Sequence, residues 1–153
     1  MSAEENLKKL GLTLPNVPTP VANYVPWKRN GSTIYLSGQG PCDKDGKHIT
    51  GTVGKDVTVE RAYELAQMVG LNLLAAAKAA AGGSLEKVEV LKVLGMVNAV
   101  PGFGDQPKVI NGCSDLFVNV LGERGRHARS AVGMGSLPVN IPVEIEAIMR
   151  VVE

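Results

Sequence analysis

The sequence predicts an α+β two-layer sandwich, a mixed β-sheet with two helices packed on one face. Three observations lead there. Segments 58–81 and 107–121 carry apolar residues at the three- and four-residue steps of one helical face. Five other runs, 24–28, 33–37, 87–97, 128–134 and 143–152, are β-rich and bounded by Gly, Pro or Asn. The order of these elements, with one short leading helix, is (helix)-β-β-α-β-α-β-β, and no internal repeat interrupts it. A chain of 153 residues with 44% hydrophobic residues suffices for one domain with one core. The whole chain, 1–153, is therefore read as one domain, with 1–20 forming an N-terminal helix and arm.

Each element has a local cause. Ser2 and Glu5 have the spacing of a capping box, Leu7 and Leu10 form a short apolar stripe, and Gly11 is a fitting stop, giving a helix over about 2–10. Pro15, Pro18 and Pro20 then favour an extended surface arm. Tyr24–Lys28 and Thr33–Ser37 flank Arg29-Asn30-Gly31-Ser32, where Asn-Gly predicts a type I′ hairpin turn. Asp43-Lys44-Asp45-Gly46-Lys47 has the start of a calcium loop but not its remaining ligands or closing Glu, so it reads as a simple turn. In 58–81, Ala62, Ala66, Val69, Leu73, Ala76 and Ala80 form one stripe, Thr58 caps, and Gly82-Gly83 terminates. Over 87–97, Val88, Val90, Leu94 and Met96 fall on one face and Leu91, Val93 and Val97 on the other. Such a strand has both faces covered, one of them by another subunit. In 107–121, Asp105 is placed to cap, Pro107 sits in the first turn, and Val109, Cys113, Leu116 and Val120 make the inner stripe, with Cys113 a small core hydrophobe. In 143–152, Val143, Ile145, Ala147 and Met149 face the core, and Glu144, Glu146 and Arg150 face the other way.

Composition narrows the function classes. Sixteen Lys+Arg against 15 Asp+Glu leave a net charge of +1, which does not make a nucleic-acid coat. No apolar run reaches the ~18 residues of a membrane span. The charged N-terminus is no secretory signal, and Cys42 and Cys113 lack metal-site or disulfide-framework spacing, so a cytoplasmic protein with free thiols is expected. Phosphate-cradle and nucleophile-elbow motifs are absent, and the two histidines, His48 and His127, lack ligand spacing. His127 reads as an ordinary surface or capping residue. Gly122–Arg126, with Arg124 and Arg126, reads as a solvated loop rather than a phosphate loop, since no stacking aromatics are interleaved.

The informative stretch is His127-Ala128-Arg129-Ser130-Ala131-Val132-Gly133. Arg129, Ala131 and Gly133 share a strand face, leaving room for Arg129 to present its planar fork to a carboxylate. The competing reading is a cross-strand ion pair with Glu144 or Glu146. Those two glutamates share a face. Either both are solvated, or one sits in a drier cleft with a raised pKa suited to acid–base work. Tyr24 reads from its position alone as a half-buried packing residue.

Arg129-Ser130-Ala131-Val132, Leu137-Pro138 and Val143-Glu144-Ile145-Glu146-Ala147 resemble the C-terminal signature of the reactive-intermediate deaminase family, also called Rid, YjgF or L-PSP endoribonuclease-like. Leu36-Ser37-Gly38-Gln39 resembles its early signature, and Asn111 matches another recurrent position, so the resemblance spans about 20–152. It is closest to a longer subgroup with an N-terminal helical extension, often labelled translation-initiation inhibitor or endoribonuclease. The resemblance implies a chorismate-mutase-like fold, homotrimers with clefts between subunits, and cofactor-free hydrolysis of 2-imino or enamine acids to 2-oxo acids and ammonia. By position, Arg129 clamps the substrate carboxylate, the backbone N–H of Ala131 and the Gly38 region add hydrogen bonds, Glu144 handles the attacking water from across an interface, and Tyr24 and Asn111 line the pocket. Phe103, in the loop Pro101–Asp105, is placed near the cleft. Many members carry Cys where this chain has Ala131, which removes a thiol but not the backbone donor. The implied partners are a small carboxylate and further copies of the chain, with no membrane, no nucleic acid and no metal. The alternative is a non-catalytic small-carboxylate-binding or protein-interaction module on the same scaffold. An RNA-cleaving or translation-inhibiting protein is disfavoured by the near-neutral charge and the lack of a histidine pair or stacking aromatics.

Overall fold

The computed structural model describes residues 1–17, 19 and 22–153, so the expectations for Pro18 and Pro20 fall outside the described residues. Helix α1 (Ala3–Lys9) starts with the predicted capping box, the Ser2 side chain accepting from Glu5 N–H and the Glu5 carboxylate accepting from Ser2 N–H. Strands β1 (Trp27–Asn30) and β2 (Thr33–Gln39) form an antiparallel hairpin. Helix α2 (Val59–Ala80) is capped by Thr58, whose hydroxyl accepts from Arg61 N–H. Strand β3 (Val88–Asn98), helix α3 (Gln106–Leu121), strand β4 (Ala128–Met134) and strand β5 (Val143–Val151) complete the chain, with short 3₁₀ turns at Gly122–Gly125 and Pro138–Asn140.

The sheet order is β1-β2-β5-β3-β4, antiparallel throughout except for the parallel pair β3–β4. Helix α3 is the crossover between those parallel strands, as a parallel connection requires. Helices α2 and α3 pack together on one face of the sheet, and Phe117, Leu65, Leu73, Ile110, Ile145 and Met149 are fully buried there. The alanine-rich stripe of α2 is buried along its length. Helix α1 docks on α3 through Asn6 Nδ2 to Val120 O at 2.9 Å, and Glu86 Oε1 accepts from Ala3 N–H at 2.7 Å.

Four local expectations need correction, and one competing reading falls away. Strand β1 begins at Trp27; Tyr24 and Val25 precede it and are about half exposed. Asn30 pairs with Thr33, so the hairpin turn is Gly31-Ser32, not Asn30-Gly31. Gly31 alone takes positive φ (60°), the pattern of a type II′ turn with Gly first. In β3 the pairing with β5 slips between Val90 and Lys92, so Leu91 is a bulge residue. The bulge inverts the alternation: Val88 and Val90 join Val93 and Val97 on the buried face, while Leu94 and Met96 are half-buried on the other. Asp105 makes no side-chain cap on α3 and instead pairs with Lys108 at 3.4 Å. Arg129 does not pair with Glu144 or Glu146; the ion pair on that side of the sheet joins Arg150 to Glu89 of β3.

The sheet face away from the helices is uncovered in the single chain. Tyr35, Lys92, Leu94, Glu146 and Ile148 line a hollow of about 360 Å³ on it, and Tyr35 and Val132 are 48% and 38% exposed. The Asp43–Lys47 segment is the expected turn, with Asp43 Oδ1 accepting from the backbone N–H of Asp45 and of Lys47, both at 2.9 Å. Among the described residues no helix is long and apolar enough to cross a membrane.

Candidate functional site

Arg129 lies on the edge strand β4. Its register partner Val93 is fully buried against the helices, so Arg129 also points to the helix side, toward α3. Asn111 and Ser114 are three residues apart on α3 and therefore share a face. Arg129 Nη1 donates to Asn111 Oδ1 at 2.8 Å and to Ser114 Oγ at 3.2 Å. Both protons of Nη1 are thus committed. Among the described residues nothing accepts from Nε or Nη2, so the guanidinium keeps one whole two-donor edge. That edge matches a carboxylate. Asn111, Ser114, Val118, Arg126, His127 and Arg129 line an open cavity of about 250 Å³, a volume suited to a molecule of few heavy atoms.

His127 belongs to this cluster. Its Nδ1 lies 2.6 Å from Gly125 O and its Nε2 lies 2.9 Å from Ser114 Oγ. A carbonyl only accepts, so Nδ1 carries the proton, and in the neutral ring Nε2 accepts from the Ser114 hydroxyl. Burial pulls the His127 pKa below its ordinary value, and the Arg129 charge pulls it further, so the ring is neutral at pH 7. The ring stacks edge-on against Phe117, with centroids 5.9 Å apart. The sequence reads His127 as a surface or capping residue; it does bond the carbonyl that ends the 3₁₀ turn, and it is also half-buried and joined to Ser114, which the sequence does not single out. The i, i+3 spacing of Asn111 and Ser114, together with a histidine two residues before the arginine, was the available signal. The neighbouring Arg124 is structural: its Nη1 donates to Leu85 O, Glu86 O and Val88 O, closing the turn into β3. Cys113, beneath the site, is fully buried; burial pushes its thiol far up, so it stays protonated.

Glu144 stands on the opposite face of the sheet. Its register partner is Met96, whereas the flanking Val143 and Ile145 are buried toward the helices. Its carboxylate lies over Gly38: a Cβ there would come within 2.8 Å of Glu144 Oε2, so the missing side chain makes that approach possible. Burial raises the Glu144 pKa above the ordinary carboxylate value, and repulsion from Glu146 adds to it. The turn before β5 is fixed by Asn98, which is buried and donates from Nδ2 to Asn140 Oδ1 at 3.1 Å. Val139 and Asn140 hold left-handed backbone there, with φ of 49° and 59°.

The single chain thus sets these residues in two separate clusters, one on each face of the sheet. Arg129 and Asn111 form one, and Ala131 lies beside them on the edge strand, which keeps a free row of backbone groups. Glu144 and Gly38 form the other. Tyr24 is exposed near the second, since Val25 O, its neighbour, accepts from Ser37 Oγ at 2.5 Å. Phe103 does not line the Arg129 cavity; it packs against the core, within 3.8 Å of the Cβ position of Gly54.

The chain matches, over residues 4–146, the family described as "YjgF/chorismate mutase-like, putative endoribonuclease". It is 39% identical to Protein TCP17 of Trypanosoma cruzi over 95% of this chain and 91% of that one. It is 27% identical to the 2-iminobutanoate/2-iminopropanoate deaminase of Dermatophagoides farinae, over 90% of this chain and 93% of that one. The crystal structure of Atu1372 from Agrobacterium tumefaciens, a protein described as of unknown function, superposes with a TM-score of 0.89 at 49% identity, covering 98% of this chain and 94% of that one. The five-stranded mixed sheet with its helices on one face is the fold these relatives share, and the chain belongs to the YjgF/chorismate mutase-like family.

Proposed function

We propose that this protein hydrolyses reactive 2-imino and enamine acids to 2-oxo acids and ammonia, in clefts between the subunits of a homotrimer. The observation that carries the reading is the tethered Arg129 guanidinium with one free two-donor edge. The similarity to an imino-acid deaminase supports it.

The chemistry asks little of the protein. The Arg129 edge takes the substrate carboxylate, which fixes the adjacent C=N carbon. Water adds its oxygen to that carbon while Glu144 of a neighbouring subunit takes one water proton and passes it to the imine nitrogen, giving a neutral carbinolamine. The carbinolamine then collapses: Glu144 takes the hydroxyl proton as the carbonyl forms, the C–N bond breaks, and the same proton goes to the leaving nitrogen, which departs as ammonia. A carboxylate with a raised pKa suits both halves of that exchange. Orientation of an already electrophilic carbon supplies several kcal/mol without a cofactor. The uncovered sheet face, with Tyr35, Leu94 and Ile148, is the surface that subunit contact would bury.

One observation favours a second reading. The Arg129 cluster is complete within one chain and Glu144 is not part of it, so a carboxylate-binding module without turnover would show the same geometry. The RNA-directed reading gains no basic face from a net charge of +1.

A coupled assay separates the two. An amino-acid oxidase generates 2-imino acids in the presence of semicarbazide, and a deaminase diverts them from the trap. Wild type is expected to divert them, and Glu144→Gln to lose about 10²–10⁴-fold in rate. No diversion of small, branched or aromatic imines by wild type would leave the binding module. Glu144→Gln should also melt higher than wild type at pH 7. Because the native pKa is raised, ionising Glu144 costs stability as pH rises above the ordinary carboxylate value, and glutamine removes that cost. The difference should close as pH falls through about 4.5, where the free carboxyl itself protonates. The assembly is checked by mass in solution: about three times 16.1 kDa is expected, and 16.1 kDa at micromolar concentration would contradict an intersubunit cleft.

A further inference from the structure

We propose that Ser114 and His127 are positioning residues for the Arg129 carboxylate site, acting as one hydrogen-bonded unit that orients the guanidinium. The proposal rests on the carboxylate-clamping part of the reading above and not on turnover.

The chain of bonds has a defined direction. Gly125 O can only accept, so it fixes the proton of His127 on Nδ1, at 2.6 Å. Nε2 is then an acceptor and takes the Ser114 proton at 2.9 Å. With its proton committed, Ser114 Oγ turns a lone pair to Arg129 Nη1 at 3.2 Å. Asn111 Oδ1 takes the other Nη1 proton at 2.8 Å. The guanidinium is planar, so two anchors on one nitrogen set the plane of the Nε–Nη2 edge and spare the rotamer entropy a free arginine would lose on binding. Without His127 the serine hydroxyl rotates freely and offers Arg129 its lone pair only part of the time.

A serine bonded to a histidine that is itself oriented by a third group also has the parts of a nucleophile–base pair. Arg129 argues against that use. Its N–H draws on one of the two Ser114 lone pairs and so lowers the nucleophilicity of the oxygen, and Ser114 sits in the interior of α3 rather than on an exposed turn. Arg126 lines the same cavity but is tied to Glu123 at 3.1 Å and is exposed, so it makes no comparable anchor.

The test reads carboxylate binding apart from catalysis. The dissociation constant of 2-oxobutanoate, a stable 2-oxo acid, is measured by NMR titration on wild type, Ser114→Ala, Ser114→Thr, His127→Ala and the double variant Ser114→Ala/His127→Ala. Ser114→Ala should weaken binding about tenfold, raising KM for 2-iminobutanoate by a similar factor with little change in kcat. Ser114→Thr, which keeps the hydroxyl, should restore most of it. The double variant should lose no more than about what Ser114→Ala loses, because the two residues act in series. His127→Gln provides a second probe if His127→Ala does not fold, and it should weaken binding by breaking the Gly125 link. Binding by Ser114→Ala equal to wild type, or fully additive losses in the double variant, overturns the proposal. Carboxylate binding that depends on Arg129 and Ser114 without any imine hydrolysis removes the deaminase reading and leaves the positioning role standing. A wild type that neither binds 2-oxobutanoate nor hydrolyses imines overturns both.

Discussion

Arg129→Ala is expected to lower kcat/KM for 2-imino acids by about 10²–10⁴-fold while leaving the melting temperature near that of wild type. The estimate comes from the free edge of the guanidinium. Two charge-assisted hydrogen bonds to a carboxylate, at about 1.5–3 kcal/mol each, correspond to that range of rate. Stability should change little because the cavity is open to solvent, so Asn111 and Ser114 can bond water once the guanidinium is gone. Arg129→Lys should not restore activity. An ammonium is a point charge on a flexible stem and cannot hold Asn111 Oδ1 and Ser114 Oγ while offering two parallel donors to a substrate. Steady-state kinetics alongside thermal melting checks this, and a kcat/KM within a few-fold of wild type would remove Arg129 from the site.

Gly112→Ala is expected to be a strongly damaging single-methyl change near the site. A Cβ at Gly112 would lie 2.0 Å from Tyr63 O and 3.2 Å from Ala66 Cβ, so α3 and α2 touch backbone to backbone there. Two effects oppose each other. Alanine gains about 1 kcal/mol over glycine in a helix interior. Overpacking costs about 1–3 kcal/mol and more when the obstacle is main chain, which no rotamer change relieves. Sterics should win, with a net loss of about 2 kcal/mol and a fall in Tm of about 4–8 °C for a domain of this size. Because Asn111 is the preceding residue, the same shift should weaken carboxylate binding. Gly104→Ala is the control: its Cβ position meets nothing within 4 Å and its φ is not in the left-handed region. A rise in Tm for Gly112→Ala would show that the helix contact is looser than described.

Local causes were readable where one element suffices. The Ser2–Glu5 capping box, the Thr58 cap and the alanine stripe of α2 depend only on nearby residues, and all appear as the pattern predicts. The features that escaped are those set by pairing between distant segments. The Leu91 bulge is invisible in an apolar run, yet it moves Leu94 and Met96 from the face of Val88 to the opposite one. The competing ion pair of Arg129 with Glu144 or Glu146 rests on how common cross-strand Arg–Glu pairs are, but β4 joins β3 rather than β5 and Arg129 lies on the face opposite both glutamates. Arg129, Asn111, Gly38 and Glu144 were named through the family signature. Periodicity alone left Arg129 between a fork for a ligand and an ion pair, and the hydrogen bonds to Asn111 and Ser114 support the former. Ser114 and His127 were missed since neither belongs to that signature and their link exists only once α3 lies along β4.

The most direct measurement is subunit complementation. Arg129→Ala and Glu144→Gln chains, each inactive alone, are unfolded, mixed in equal amounts and refolded together, and imine diversion is assayed. If each cleft takes Arg129 from one subunit and Glu144 from its neighbour, random mixing rebuilds about one quarter of the clefts with both residues intact, and about a quarter of wild-type activity should return. Mixtures no more active than the separate variants would contradict a site shared between subunits.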